Sequence, residues 1–110
     1  MSKGPESLFK EKVISALRTL PNIWIVKINQ VNIVGTPDIL GCANGNFFAL
    51  ELKGSSKAKA SKMQLHTIDK ILKARGIAFL VYPENWEEIF SYISQLAHTS
   101  ENKPFDLPSH

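Results

Sequence analysis

The dipeptide Asn44-Gly45 is the feature that most restricts how this chain can fold. Both residues tolerate a positive φ, and together they are a strong short-range signal for the turn of a β-hairpin. Apolar runs flank the dipeptide, over residues 38–43 and 47–53. The sequence therefore predicts two adjacent antiparallel strands joined at this turn.

Hydrophobic spacing predicts three helices and two further strands around the hairpin. The helices are expected over residues 6–20, 61–75 and 85–97. The further strands are expected over residues 23–28 and 77–82. The third and fourth strands enclose the second helix, so they form a βαβ unit and pair in parallel. The predicted fold class is α/β, in the order α-β-β-β-α-β-α, with a mixed four-stranded sheet flanked by helices.

Several residues have expected structural roles in these elements. Gly76 follows the second helix and is expected to end it. Asn85 is expected to cap the third helix, with Glu88 at the capping-box position. Trp24 and Trp86 are expected in the core or at an interface.

The length and composition favour one soluble globular domain. Of 110 residues, 44% are hydrophobic and 21% charged, and the domain is predicted over residues 1–98. The polar residues 99–110 are expected to form a disordered tail. No apolar run approaches the ~20 residues that cross a bilayer, and no signal peptide is recognisable. With one cysteine, the expected setting is the reducing cytoplasm, with no membrane partner.

The open end of the predicted hairpin carries acidic residues. Asp38 opens the second strand and Glu51 lies late in the third, so antiparallel pairing brings them together. Glu51 and Lys53 are two apart on a strand and point to the same face. Two carboxylates suit a hard divalent cation, and a nearby ammonium can orient water or neutralise phosphate charge. The predicted chemistry is phosphodiester hydrolysis with Mg²⁺, for which Mn²⁺ is expected to substitute.

The spacing of these residues resembles a known nuclease pattern. Gly35-Thr36-Pro37-Asp38, twelve intervening residues, and Glu51-Leu52-Lys53 resemble the PD-(D/E)xK nuclease superfamily. Within it, the chain resembles the VRR-NUC (virus-type replication-repair nuclease) family, relatives of the archaeal Holliday-junction resolvases. The resemblance runs over residues 6–81 and implies a restriction-endonuclease-like fold. It also implies that Asp38 and Glu51 bind the metal directly, with the backbone carbonyl of Leu52 as a third ligand, and that Lys53 acts on the attacking water.

Two further residues match the family pattern and also have structural alternatives. Glu6 stands at the position of the family's first-helix Glu, which would reach the metal through water or help a second ion bind. An acid in a first helical turn also favours the helix macrodipole, and Glu11 competes for the same role. Gln64 stands at the family's Gln position, which would assist at the metal or the scissile phosphate, but Ser61-x-x-Gln64 is also a capping box.

A cluster of lysines follows the predicted site. Lys57, Lys59 and Lys62 lie in a stretch that begins at Lys53 and holds no acid, in a chain of net charge +3. Taken alone, this stretch is typical of a solvated loop. Beside a metal site it is expected to contact DNA phosphates, as is Lys27 one strand away.

The resemblance implies a structure-selective DNA endonuclease of replication, recombination or repair, in the cytoplasm of a bacterial cell or a phage-infected host cell. Its expected substrates are Holliday junctions, flaps or forks, and it is expected to act as a homodimer by analogy with the resolvases. One alternative is a sequence-specific endonuclease of the homing or restriction type. Others are a catalytically silent nucleic-acid-binding module and an RNA-directed nuclease. The intact Asp38, Glu51 and Lys53 argue against the silent module.

Overall fold

The chain folds in the predicted order of elements. A computed structural model describes residues 4–29 and 33–99, and apart from Thr99 the predicted tail lies outside them. The elements are α1 (Pro5–Leu17), β1 (Ile23–Lys27), β2 (Ile39–Ala43), β3 (Asn46–Leu52), α2 (Lys62–Lys73), β4 (Ile77–Val81) and α3 (Trp86–His98). Within the described ranges, no helix is both long and apolar enough to cross a membrane.

The four strands form one mixed sheet in the order β1-β2-β3-β4. The β1–β2 and β2–β3 pairs are antiparallel, whereas β3 and β4 are parallel, as the βαβ prediction requires. Asn44 and Gly45 take φ values of 49° and 88°, which confirms the predicted hairpin turn.

One face of the sheet carries the hydrophobic core. Phe48, Leu50 and Leu52 alternate along β3 and are fully buried against α1 and α3. The helices contribute buried residues at helical spacing: Phe9, Val13, Leu17, Trp86, Ile89, Ile93 and Ala97. Each large apolar side chain buried in this way contributes roughly 1.5–3 kcal/mol relative to an exposed position. This layer fixes β3, and with it the direction in which Glu51 points.

The opposite face of the sheet is only partly covered, because α2 lies over its β3–β4 side. Trp24, Cys42 and Phe47 are paired side by side across β1, β2 and β3 on this face. Trp24 is 62% exposed and Phe47 44% exposed. Trp86 is in the core as expected, whereas Trp24 is exposed, so that only the interface alternative of its prediction still applies.

The helix ends differ from the predictions for local reasons. α1 ends at Leu17 rather than residue 20, because the Thr19 and Leu20 N–H groups bond to carbonyls three residues back, which tightens the turn. The positive φ after α2 belongs to Arg75, at 71°, and not to Gly76. Gly76 is needed instead for close packing, since a Cβ there would lie 2.8 Å from the Ile71 side chain.

The predicted capping box of the third helix is wrong. Asn85 is the N-cap of α3, but its side chain makes no cap hydrogen bond. Its Oδ1 accepts from the Tyr82 N–H at 2.8 Å, and its Nδ2 donates to the Leu80 carbonyl at 3.1 Å. The amide therefore ties the end of β4 to the start of α3, and Glu88 has no capping partner there.

Candidate active site

The predicted carboxylates meet at the end of the sheet. Ile39 pairs with Leu50, so Asp38, one residue earlier, lies opposite Glu51. Asp38 Oδ2 accepts a hydrogen bond from the Leu52 N–H at 2.8 Å. This bond to the neighbouring strand fixes the orientation of the Asp38 carboxylate.

Glu51 occupies an unusual environment for a charged group. Among the described residues it is the only polar or charged side chain that is buried, at 4% exposure. Burial, followed by the charge and hydrogen bond of Asp38, raises the pKa of Glu51 to about 8, although Lys53 acts to lower it. At neutral pH the protonated form of the Glu51 carboxyl is therefore favoured unless a further cation offsets its charge.

Lys53 and Gln64 complete the arrangement around Glu51. Lys53 Nζ lies 3.7 Å from Glu51 Oε2 and donates to Gln64 Oε1 at 3.1 Å. Gln64 Nε2 donates to Glu51 Oε2 at 2.9 Å. The Lys53 side chain is 12% exposed. An ammonium is thus held beside the carboxylates by two partners rather than projecting into solvent.

Gln64 also fulfils its structural alternative. The Gln64 side-chain Oε1 accepts a hydrogen bond from the Ser61 backbone N–H at 2.8 Å. The Gln64 backbone N–H donates to Ser61 Oγ at 3.1 Å, which confirms the capping box. The side chain that completes the capping box of α2 therefore also contacts Glu51 and Lys53. The capping geometry places it at the site.

Glu6 lies near the site without joining the carboxylate pair. It is exposed in the first turn of α1, and its backbone abuts Gly54, where a Cβ would lie 2.8 Å from the Glu6 Cα. Gly54 directly follows Lys53, so this close approach holds the start of α1 against the end of β3. In the part of the chain that the structure describes, no three His, Cys, Asp or Glu side chains form a group that could hold a metal ion.

Sequence reasoning missed Lys10. Its Nζ lies 3.0 Å from Asp38 Oδ1, and the two side chains are 23% and 18% exposed. Lys10 is one helical turn after Glu6, so a contact near the site could have been suspected from i, i+4 spacing. Nothing in the sequence pattern connects Lys10 with Asp38, because that contact depends on how α1 packs.

The predicted DNA-contact lysines are all exposed. Lys57 and Lys59 lie in the loop after β3, and Lys62 begins α2. Lys27 ends β1 and lines two grooves along α1, of about 370 and 440 Å³. Lys27 pairs with Ile39, next to Asp38, and the loop that carries Lys57 and Lys59 connects the end of β3 to α2.

The donor set fits a hard divalent cation. Asp38 and Glu51 offer carboxylate oxygens, and their mutual repulsion in a buried setting would be relieved by a positive ion. Two protein carboxylates with water completing the shell is a usual arrangement for Mg²⁺.

Comparison with known proteins supports the fold. No family model matches the sequence, and no curated protein matches it. A solved structure described as a VRR_NUC domain superposes with a TM-score of 0.72 at 17% identity, over 82% of this chain and 98% of that one. The chain has the fold of a VRR_NUC domain. The restriction-endonuclease-like architecture expected from the PD-(D/E)xK resemblance is therefore confirmed.

Proposed function

We propose that the protein is a Mg²⁺-dependent endodeoxyribonuclease that hydrolyses phosphodiester bonds, with Mn²⁺ able to substitute. The observation that carries the proposal is the convergence of Asp38, Glu51 and Lys53 at one end of the sheet. A buried carboxylate beside a second carboxylate is a costly arrangement, and such costs concentrate at functional sites. The VRR_NUC fold of the chain agrees with this activity.

Asp38 and Glu51 would hold the cation through their side chains, and the Leu52 carbonyl and a water-mediated Glu6 are proposed to add to the set. The bound ion would polarise the phosphoryl oxygen and make a bound water more acidic. Lys53 would orient the attacking water or offset the charge that develops on the phosphate. Gln64 would fix the Lys53 ammonium and the Glu51 carboxylate relative to each other, since its side chain bonds to both.

The proposed substrate is branched or structured DNA, such as a four-way junction, flap or fork. A domain of this size has little surface for reading base sequence, so shape and backbone contacts would select the substrate. Lys57, Lys59 and Lys62 would follow the phosphates on one side of the site and Lys27 on the other.

We further propose that the protein is a homodimer. Trp24, Cys42 and Phe47 form a row on the sheet face that α2 covers only in part, and Trp24 is 62% and Phe47 44% exposed. A monomer seldom leaves contiguous aromatic surface in water. A second copy meeting this face about a two-fold axis would bury the row and present two sites to paired strands.

One experiment separates this function from its alternatives. Purified protein is incubated with duplex, single-stranded, flap and four-way junction DNA, and with matched RNA, in Mg²⁺, Mn²⁺ or EDTA. We expect cleavage of branched DNA with either metal and at least about a hundredfold loss in Asp38→Ala and Lys53→Ala. The matched control is Lys73→Ala, an exposed lysine near the C-terminal end of α2.

Each alternative function predicts a different result in this experiment. Cleavage that persists in EDTA or in Asp38→Ala would exclude the metal site. Binding without cleavage would favour the silent module. Cutting of duplex at one sequence would favour a restriction-type enzyme, and cutting of RNA alone would favour the RNA-directed nuclease.

A further inference from the structure

Lys10 is a cation already placed on a proposed metal ligand. Its ammonium lies 3.0 Å from Asp38 Oδ1, while the other oxygen of Asp38 accepts the Leu52 N–H at 2.8 Å. Both oxygens of the carboxylate therefore have donors. A divalent cation that uses Oδ1 must compete with the ammonium, because two positive charges at one oxygen repel each other.

Lys10 differs from the other site lysine in how it is held. Lys53 is on a strand, is 12% exposed, and bonds to Gln64 as well as approaching Glu51. Lys10 is on a helix, is 23% exposed, and borders open space. The open space is a groove of about 370 Å³, lined by Ser7, Lys10, Glu11, Lys27, Ile28 and Asn29. The Lys10 side chain has room to leave Asp38, whereas Lys53 is confined.

We propose that Lys10 is a positioning residue that acts as the exchangeable counter-ion of Asp38. Its ammonium offsets the charge of the carboxylate and holds it in place until a divalent cation binds. The arriving cation displaces the ammonium into the adjacent groove, so Lys10 lowers the affinity of the site for metal while stabilising the fold without it. The inference rests on the proposed metal-dependent function.

The test measures metal binding directly, independently of catalysis. Mn²⁺ is titrated calorimetrically into the wild type, Lys10→Met, Lys10→Gln and Lys10→Arg at one ionic strength. Lys12→Met is the matched control, since Lys12 is exposed on the same helix. Removing a partly screened charge from the ligand should tighten Mn²⁺ binding by about three- to tenfold in the two neutral variants. Lys10→Arg and Lys12→Met should keep wild-type affinity.

A second measurement tests whether Lys10 stabilises the metal-free protein. In EDTA, the neutral Lys10 variants should unfold at a lower temperature than the wild type and the Lys12 control, and Mn²⁺ should raise their Tm by more. Unchanged or weaker Mn²⁺ binding in both neutral variants, with normal binding by the wild type, would overturn the role of Lys10 alone. Absence of Mn²⁺ binding in the wild type would instead overturn the metal-dependent function and this inference with it.

Discussion

At the scale of single residues, the site is defined by a carboxyl that is costly to ionise. Glu51 is buried beside Asp38, and its pKa rises to about 8 from an ordinary 4.5. Lys53 and the Gln64 amide only partly offset this cost. A site with this property is unfavourable for folding and favourable for capturing a cation.

The first prediction concerns the pH dependence of stability in EDTA. Because the folded pKa of Glu51 lies above the unfolded value, the folded protein holds a proton that the unfolded chain releases. The free energy of unfolding should therefore fall as pH rises from about 4.5 to about 8, by up to about 5 kcal/mol. Glu51→Gln removes the titration and should flatten this part of the profile, as measured by urea unfolding.

The metal response is the control for that profile. Adding Mn²⁺ near pH 8 should raise the free energy of unfolding of the wild type but not that of Glu51→Gln, which lacks one of the two proposed carboxylate ligands. Parallel pH profiles for the two proteins would show that another group is responsible.

At the scale of secondary-structure elements, the first turn of α2 belongs to both the helix and the site. Ser61 and Gln64 exchange the two hydrogen bonds of a capping box. The Gln64 amide then extends to Glu51 and Lys53. The same interactions that begin the helix therefore set the position of a site residue.

The second prediction separates these two roles. Ser61→Ala removes one cap bond and should lower the free energy of unfolding by about 1 kcal/mol, with cleavage unchanged within about twofold. Gln64→Ala removes its own cap bond and the contacts to Glu51 and Lys53, so it should lower both stability and cleavage. Chemical unfolding and turnover on a branched substrate are the measurements. An equal loss of cleavage in both variants would mean that Gln64 acts only by starting α2.

At the scale of the whole molecule, charge and apolar surface lie in different places. Exposed lysines lie in the loop after β3, at the start of α2 and at the end of β1. Trp24 and Phe47 are exposed on the sheet face beside α2. The first surface suits a phosphate backbone and the second suits another copy of the chain.

The third prediction tests the lysine surface through salt dependence. Replacing Lys57, Lys59 and Lys62 together with alanine should reduce the slope of log K against log salt by about 2–3, because each phosphate contact releases counterions. Binding is measured by fluorescence anisotropy in EDTA, so that cleavage does not interfere. The matched control replaces Lys70 and Lys73 in the last turn of α2 and Arg75 just after the helix. An equal reduction in slope in both triple variants would exclude Lys57, Lys59 and Lys62 as a specific DNA-binding surface.

The fourth prediction tests the apolar surface. Light scattering should give the wild type twice the chain mass of 12.3 kDa and give Trp24→Glu a single chain mass. Leu8→Glu is the control, because Leu8 is 54% exposed on α1, away from the uncovered sheet face. A monomeric wild type, or a dimer that survives Trp24→Glu, would contradict the proposed interface.

The sequence by itself determined the hairpin at Asn44-Gly45 and the meeting of Asp38 with Glu51 and Lys53. These features follow from local rules: positive φ at a two-residue turn, and side chains that alternate every two residues along a strand. Such rules act within a few residues and do not depend on the rest of the fold. They were sufficient to predict the hairpin and the carboxylate pair, whereas the parallel pairing of β3 with β4 came from the crossover rule for a βαβ unit.

Only the tertiary structure decided which helices reach that pair. The contact of Lys10 with Asp38, the close approach of Gly54 to Glu6 and the exposure of Trp24 all depend on how helices pack on the sheet. Helical periodicity shows which residues share a face but not which neighbour that face will meet. The pairing of Lys10 with Asp38 spans 28 positions in sequence and exists only because burial of the α1 apolar face fixes that helix against the sheet.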